Sequence, residues 1–210
     1  MRLLVIETAT AACSVALVDA GRVVAERHEV VGRGHAERLV PMIAELPDGG
    51  RADAILVDCG PGSFTGVRVG LAAALGLGLG WSAPVRGFSS LALVAGAAFA
   101  AHPSLAAVTV ALTGGHGELF VQRFAPAPLR PITDLASLPP EDAARAAGGD
   151  AVFGSGATVL IAAGGSASSG EAGNDLLPRA ADIALLPDSL ATLPPVPIYG
   201  RAPDAKPAAA

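Results

Sequence analysis

Two acidic residues stand where this sequence could carry out chemistry. Glu7 and Asp58 each follow a short apolar run, LLVI and ILV, that is typical of a buried strand. Paired carboxylates at strand ends can hold Mg²⁺ or act as general acid and base. The polar residues close to Glu7 are Thr8 and Thr10, and no histidine lies nearby in the sequence. A hydrogen-bonded structural role is therefore the alternative to catalysis.

A glycine-rich loop follows the second of these runs and precedes a stretch typical of a helix. The loop consists of Gly60, Pro61, Gly62, Ser63, Phe64 and Thr65. Free backbone N–H groups at the start of a helix can hold an anion such as phosphate. No lysine follows as it does in a P-loop. The loop is thus either an anion site or a tight turn in which Ser63 or Thr65 caps the helix.

Other groups capable of metal or thiol chemistry are dispersed along the chain. The four histidines stand apart, and Cys13 lies far from Cys59 in the sequence. Structural metal sites need ligands at short spacing, so we expect no metal and no cofactor. Both cysteines lie in apolar, strand-like stretches, which predicts buried thiols. His35 and Arg38 open the first predicted helix on its polar side, where a solvated face is the simplest interpretation.

Composition excludes several classes of protein. The net charge of −5 with 16% charged residues argues against an independent nucleic-acid binder. The mean hydropathy of +0.52 reflects abundant alanine, and the apolar runs are shorter than the ~20 residues that a membrane-spanning helix needs. The N-terminal apolar run is too short for a secretory signal. We therefore expect a cytoplasmic protein with no membrane partner.

The elements that would position these residues follow from periodicity and turn signals. A three-stranded meander is predicted over residues 3–7, 14–18 and 22–27, with a turn between the last two strands at Asp19, Ala20 and Gly21. Helices are predicted over residues 35–46, over 65–80 and from Ser89 or Ser90 to 101, with strands at 54–59 and 84–88. Pro41 should kink the first helix or mark its first turn.

The pattern recurs beyond residue 103. Strands are predicted at 107–112, 118–124 and 151–153, with helices opened by Pro140 and Pro178 and a loop over 163–175. This predicts an α/β fold of two ribonuclease-H-like (actin/Hsp70-type, ASKHA) halves, with mixed five-stranded sheets flanked by helices. We place the two domains at 1–103 and 104–192. A Pro/Ala-rich tail, 193–210, should be extended and fray.

The second predicted helix carries an unusual surface. Between Val69 and Gly117 only Arg86 is charged, so this helix has no polar face after Arg68. A helix that is apolar all round must be covered all round. Two rows of small residues, Gly66, Gly70, Ala74 and Gly78 and then Ala72, Gly76 and Gly80, would each let another helix approach closely. We call the first row the ridge and expect it to face a helix across a subunit boundary. Full burial within one domain is the alternative. Arg68 is predicted to orient the glycine-rich loop by donating to backbone carbonyls or to an acidic partner residue.

Three segments carry a resemblance to a known family: MRLLVIETATAACSVAL (1–17), GHAERLVPMI (34–43) and GPGSFTGVRVGLAAALGLG (60–78). Over about residues 1–101 the chain closely resembles the TsaB (YeaZ) family, the non-catalytic subunits of the bacterial tRNA threonylcarbamoyladenosine complex. The resemblance continues weakly through GELFVQRF, LLPRAADIALL and PIYGRAP.

The resemblance implies a scaffold with two actin/Hsp70-like halves and no active site of its own. It implies pairing with a TsaD-like catalytic subunit, a TsaE-like ATPase that joins them, and tRNA contact only through the complex. An isolated chain could form a homodimer through the same surface. The partner interface is expected on the first two helices and includes His35, Arg38, Leu39, Met42, Gly66, Arg68, Gly70, Leu71, Ala74, Leu75 and Gly78.

Departures from the family pattern bear on the rival functions. The metal-binding His-x-x-x-His of TsaD is absent from the segment GFSSLALVAGA, and the turn at 113–116 is TGGH where many relatives have Asp-Ala-Arg. One rival is an ATP-dependent kinase or hydrolase of the actin/Hsp70 superfamily. Against it, Glu7 precedes no glycine-containing phosphate loop, and GSGA at 154–157 is a weak motif. A glycopeptidase, the other rival, would need a nucleophile–base pair that the sequence does not suggest.

Overall fold

The first half of the chain is a five-stranded mixed sheet flanked by three helices. The computed structural model describes residues 1–166 and 175–200. The elements of this half are β1 (Arg2–Glu7), β2 (Ala12–Asp19), β3 (Arg22–Val30), α1 (His35–Ala44), β4 (Ala54–Asp58), α2 (Phe64–Trp81), β5 (Val85–Phe88) and α3 (Ser90–Ala101). Each element predicted for this half is present, and β3 extends three residues further than predicted.

The first sheet has the strand order β3-β2-β1-β4-β5. Strands β1, β2 and β3 form the predicted antiparallel meander, whereas β1, β4 and β5 run parallel. Ala20 and Gly21, with φ of 47° and 77°, close the tight β2–β3 turn in the left-handed conformation that suits two-residue hairpins. Because β1 and β4 are parallel neighbours, Glu7 and Asp58 end at the same edge of the sheet.

Helix α1 corrects one detail of the sequence interpretation. The helix begins at His35 and Pro41 lies within it, so the proline does not mark the first turn. The missing proline N–H would have faced the carbonyl of Glu37, a residue that is exposed to water together with Pro41. The helix ends at Ala44, two residues earlier than predicted, and Pro47 follows.

The second half repeats the arrangement with shorter elements. These are β6 (Val108–Thr113), β7 (Leu119–Ala125), β8 (Arg130–Pro131), β9 (Ala136–Leu138), α4 (Pro140–Ala147), β10 (Ala151–Phe153) and α5 (Ala157–Ala162). The strand order is β10-β6-β7-β8, and β9 also pairs with β7. Strands β6 and β7 are antiparallel and β10 is parallel to β6, as in the corresponding strands of the first sheet.

The core is divided into three layers by the two sheets. Helices α1 and α2 pack on the side of the first sheet that is turned away from the second sheet. Helices α4 and α5 pack on the side of the second sheet that is turned away from the first. Helix α3 and a 3₁₀ helix at Ala180–Leu185 fill the space between the sheets. The predicted α/β fold with two sheets flanked by helices is confirmed.

The end of the described chain differs from expectation in two ways. The helix predicted to start at Pro178 is a 3₁₀ helix over Ala180–Leu185, and its first N–H donates to Ser14 Oγ of β2 at 2.9 Å. The tail does not fray over 193–200, because Leu193 exchanges two backbone hydrogen bonds with Gly87 and Ile198 donates to the Cys59 carbonyl at 2.7 Å. Parts of the predicted loop and tail, residues 167–174 and 201–210, lie outside the described residues.

Candidate functional site

The glycine-rich loop joins β4 to α2 as a capped turn. Ser63 occupies the N-cap position, and its Oγ accepts from the Gly66 N–H at 3.2 Å. The Ser63 N–H in turn donates to the Ala9 carbonyl at 2.6 Å, which ties this loop to the loop after β1. Gly62 is required there, because a Cβ at this position would lie 2.1 Å from the same Ala9 oxygen. These contacts agree with the tight-turn interpretation of the loop.

The small-residue ridge of α2 faces the domain's own sheet, which corrects the expectation of a subunit boundary. Gly66, Gly70, Ala74 and Gly78 are all buried. A Cβ on Gly66 would meet the Thr8 carbonyl oxygen at 2.1 Å, and one on Gly70 would meet Thr8 Oγ1 at 2.4 Å. The small residues of the ridge thus let the end of β1 and the loop after it pack closely against α2. A partner helix cannot reach the ridge.

The outer side of α2 is apolar and uncovered by the described residues. Leu79 is 86% exposed and Leu75 48% exposed, and Ala72, Gly76 and Gly80 are exposed beside them. Val40 of the neighbouring α1 is 58% exposed. By length and hydropathy alone α2 would also suit a membrane span, but its inner side packs on the sheet as in a core helix. These exposed apolar and small residues form one surface, the outer face, which consists of Val40, Ala72, Leu75, Gly76, Leu79 and Gly80.

The residues predicted to form an interface therefore do not share one surface. His35, Leu39, Met42 and Leu71 are buried with the ridge, and His35 Nε2 donates to the Ala12 carbonyl at 3.1 Å. Leu75 lies on the outer face. Arg38, on the half-exposed side of α1, forms an ion pair with Glu29 of β3, which lowers the pKa of that carboxyl. The solvated polar side expected for the start of α1 fits Arg38 and does not fit His35.

Arg68 makes the kind of backbone contact predicted for it. Its Nη1 donates to the Phe64 carbonyl at 3.2 Å, and its guanidinium stacks 3.2 Å from the centre of the Phe64 ring. Nη2 donates to Tyr199 Oη at 2.8 Å. The contact with Tyr199 was not predicted, since nothing in the local sequence places residue 199 beside residue 68. The weak family resemblance of PIYGRAP was the only signal.

A cleft of about 1010 Å³ lies beside this arginine, between the two halves. Its walls come from the loops after β1 and β4, the β3–α1 turn, the β6–β7 turn and residues 197–200. Arg33, Arg68, His116 and Tyr199 are the ionisable residues among the described ones that line it, and none of those is a carboxylate. Local sequence patterns gave no sign of this cleft, because its walls are loops from both halves.

The two candidate carboxylates are sealed beneath the floor of the cleft. Glu7 and Asp58 are fully buried, and neither lines the cavity. Burial raises the pKa of Asp58 to about 7 and raises that of Glu7 well above its usual range, with a further contribution from the Asp58 charge. No cluster of three or more potential metal-ligating His, Cys, Asp or Glu side chains occurs in residues 1–166 and 175–200. The arrangement agrees with a structural role.

Both cysteines are buried free thiols, as predicted. Burial raises the pKa of Cys13 to about 11 and that of Cys59 to about 12, so both thiols are protonated at neutral pH. Cys59 Sγ packs against Gly87 and the Pro194 carbonyl. These positions contribute to packing and supply no nucleophile.

Two ribonuclease-H-like halves facing each other across a cleft define an α/β protein of the actin/Hsp70 type. A family model described as TsaD, tRNA N6-adenosine threonylcarbamoyltransferase, matches residues 22–127. The YeaZ structure from Pseudomonas aeruginosa is 30% identical, with a TM-score of 0.77, and covers 94% of this chain and 99% of its own. A second P. aeruginosa structure, of a protein described as similar to the peptidase YeaZ, is 32% identical with a TM-score of 0.79, covering 95% and 99%.

The tRNA threonylcarbamoyladenosine biosynthesis protein TsaB of Escherichia coli is 45% identical over 100 residues. That match spans 45% of this chain and 43% of the curated relative, less than half of either. Since the P. aeruginosa structures match along almost their whole length, the chain belongs to the TsaB (YeaZ) family.

Proposed function

We propose that this chain is a non-catalytic scaffold and activator subunit in the N6-threonylcarbamoylation of the adenosine next to the anticodon of tRNA. It pairs with a TsaD-like catalytic subunit, and a TsaE-like ATPase joins the pair in the cytoplasm. The name of the E. coli relative and the TsaD description of the matching family model support this pathway. With a net charge of −5, most contacts to tRNA phosphates would come from partners.

The absence of catalysis is supported by what the candidate groups contact. Glu7 and Asp58 are closed off from the cleft, and no carboxylate is found among the described residues that line it. Helix α3, where TsaD would carry its histidine pair, is an apolar core helix that begins with Ser90. If the chain were an ATP-dependent enzyme of the same fold class, the purified protein would turn over ATP. We expect no ATP turnover.

The outer face of α2 is the observation that carries the partner proposal. Helix α2 has no charged residue after Arg68, and one side of it rests on the sheet. The outer face remains in contact with water although its residues are apolar, since Leu79 is 86% exposed and Leu75 is 48% exposed. Contiguous exposed apolar surface of this kind marks protein–protein contacts. The partner surface therefore consists of the outer face and not of the buried ridge.

The substitution Leu79→Glu tests this assignment. A carboxylate placed in an apolar contact must be desolvated without a partner, so binding to the TsaD-like subunit should weaken at least about tenfold, or 1.4 kcal/mol. Calorimetric titration gives the affinity, and thermal unfolding should show the isolated variant as stable as the wild type. Val159→Glu is the matched control, because Val159 is an exposed apolar residue of α5 in the other half.

Reconstitution with TsaD-like and TsaE-like proteins and tRNA tests the activity itself. Formation of threonylcarbamoyladenosine should require the wild-type chain and fall with Leu79→Glu in proportion to the lost affinity. Equal affinity for both Glu variants would place the interface elsewhere.

Sedimentation of the isolated chain tests for a homodimer. If that dimer uses the outer face, Leu79→Glu should dissociate it.

A further inference from the structure

The pair formed by Glu7 and Asp58 lies at one edge of the first sheet and faces α3. Ile6 of β1 is in register with Val57 of β4, and the two carboxylates are the next residues on these neighbouring parallel strands. Val5 and Leu56, two residues before them, pack in the core that contains α3. Side chains alternate along a strand, so Glu7 and Asp58 point to the same side. Ser90, the first residue of α3, donates its hydroxyl to Asp58 Oδ1.

Each carboxyl group has one oxygen that is satisfied and one that is not. Glu7 Oε1 accepts from the Ala9 N–H at 2.8 Å, and Asp58 Oδ1 accepts from the Gly60 N–H at 2.8 Å. Glu7 Oε2 and Asp58 Oδ2 are buried, and neither has a hydrogen-bond partner among the described residues. The Ser90 hydroxyl lies close enough to Glu7 to lower its pKa, but its single proton is donated to Asp58 Oδ1. A buried oxygen without a donor is costly, so two such oxygens on adjacent side chains require an explanation.

Among the described residues no cation compensates the two carboxylates. The thiols of Cys13 on β2 and Cys59 after β4 are titratable groups whose pKa values the carboxyl charges help to raise, and Ser90 of α3 is the polar group that contacts Asp58. No Lys, Arg or His of the described residues influences either carboxyl. Two neighbouring buried charges of the same sign cannot both persist without a counterion. The burial that raises both pKa values favours a protonated form.

We propose that Glu7 and Asp58 share a single proton between Glu7 Oε2 and Asp58 Oδ2, and that this carboxyl–carboxylate hydrogen bond fixes the two loops that form the floor of the cleft. The satisfied oxygens hold these loops at Ala9 and Gly60, and the Ser63–Ala9 backbone bond joins one loop to the other. Ala9, Thr10, Ala11, Gly62 and Ser63 line the cleft directly above the pair. The shared proton supplies the donor that neither orphaned oxygen otherwise has.

The proposal predicts how stability depends on pH. Because the folded pair holds its shared proton to a pH above the ordinary carboxyl range, the folded protein retains one proton that the unfolded chain has released. The stability from this proton is complete at low pH and is lost as pH rises from about 4 to about 7, where the unfolding constant should increase about tenfold per pH unit. Other titrating groups contribute as well, so the difference between variants is the decisive quantity.

Glu7→Gln supplies a permanent N–H donor to Asp58 Oδ2 and removes one of the two carboxyls. Chemical unfolding at about pH 5 and about pH 7 should show that most of the pair's pH dependence is lost, so the variant gains stability relative to the wild type as pH rises. Glu37→Gln, the same change at an exposed glutamate of α1, should run parallel to the wild type. Parallel behaviour of Glu7→Gln itself would overturn the proposal.

Infrared spectroscopy of the wild type gives an independent test that does not depend on a variant's folding. At about pH 6, where exposed carboxyls are ionised, the C=O stretch of a protonated carboxyl should be present, and Glu7→Gln or Asp58→Asn should each remove or shift it. Absence of this band in the wild type would overturn the proposal. So would thermal stabilisation by Mg²⁺ or Mn²⁺ in the wild type but not in Glu7→Gln, since the pair would then be a cation site.

Discussion

Helices α2 and α3 have the same kind of sequence and different surroundings. Neither has a polar face: α2 carries no charge beyond Arg68, and α3 carries none. Helix α3 lies between the two sheets, and most of its residues, from Ser90 to Ala98, are buried. Helix α2 rests on one sheet only, and its other side is the outer face. An all-round apolar helix requires cover on every side. This chain supplies that cover for α3, and for α2 we propose that a partner supplies it.

The largest expected difference between the two helices is in the cost of removing a leucine. Leu93 of α3 is 0% exposed and Leu79 of α2 is 86% exposed. Leu93→Ala leaves a cavity between the sheets and should lower the free energy of unfolding by about 2–5 kcal/mol. Leu79→Ala should change it by less than about 0.5 kcal/mol. Urea unfolding of both variants measures the two values.

Partner binding should reverse this order. Leu79→Ala should weaken binding to the TsaD-like subunit, whereas the folded fraction of Leu93→Ala should bind as the wild type does. A loss of several kcal/mol in the unfolding free energy of Leu79→Ala would show that the outer face is covered within the chain. The contrast between α2 and α3 would then disappear.

The sequence predicted where α2 lies but not which of its sides is covered. Local signals predicted a helix over 65–80 with Ser63 or Thr65 as its cap, and the helix spans Phe64–Trp81 with Ser63 as the cap, because a glycine-rich loop before an apolar run is typical of a helix start. The ridge of Gly66, Gly70, Ala74 and Gly78 was assigned to a partner, and the structure places it on the sheet. A small side chain permits any close approach, and spacing does not distinguish a partner helix from the strand end at Thr8.

The cleft and the carboxylate pair depend on contacts between distant segments. Tyr199 meets Arg68 across 131 positions of sequence, and the strand ends at Glu7 and Asp58 become neighbours only through the parallel pairing of β1 and β4. Sequence identified both carboxylates as candidates with a structural alternative, because each ends a buried strand. The missing donors of their second oxygens could be seen only in three dimensions.

Glycine substitutions distinguish the inner and outer sides of α2 with a smaller expected effect. Gly66→Ala would place a methyl group 2.1 Å from the Thr8 carbonyl oxygen, so helix and strand end must separate, at a cost of about 1–3 kcal/mol. Gly76→Ala meets no atom within 4 Å and removes a glycine from a helix interior, which should stabilise the monomer by about 0.5–1 kcal/mol. Differential scanning calorimetry should show melting temperatures that shift in opposite directions, and equal shifts would contradict the assignment of the two sides.

The smallest expected effect on the free energy of unfolding is at Arg68, which lies near the start of α2 and lines the cleft. Its guanidinium donates to Phe64 and Tyr199 and stacks on the Phe64 ring, so the planar group joins the start of α2 to the segment at residues 197–200. Arg68→Lys keeps the charge but loses this geometry. Since these contacts are exposed, the loss of unfolding free energy should not exceed about 1 kcal/mol.

A double-mutant cycle with Tyr199→Phe isolates the contact from other consequences of each change. The phenol–guanidinium hydrogen bond predicts a coupling energy of about 0.5–1 kcal/mol between the two positions, measured by chemical unfolding. Arg33→Lys, at the other arginine that lines the cleft, should show no coupling with Tyr199→Phe, because Tyr199 bonds to Arg68. Strict additivity for Arg68 and Tyr199 would mean that the segment at 197–200 is held by its backbone bonds to Cys59 and Gly87, and that Arg68 orients only the start of α2.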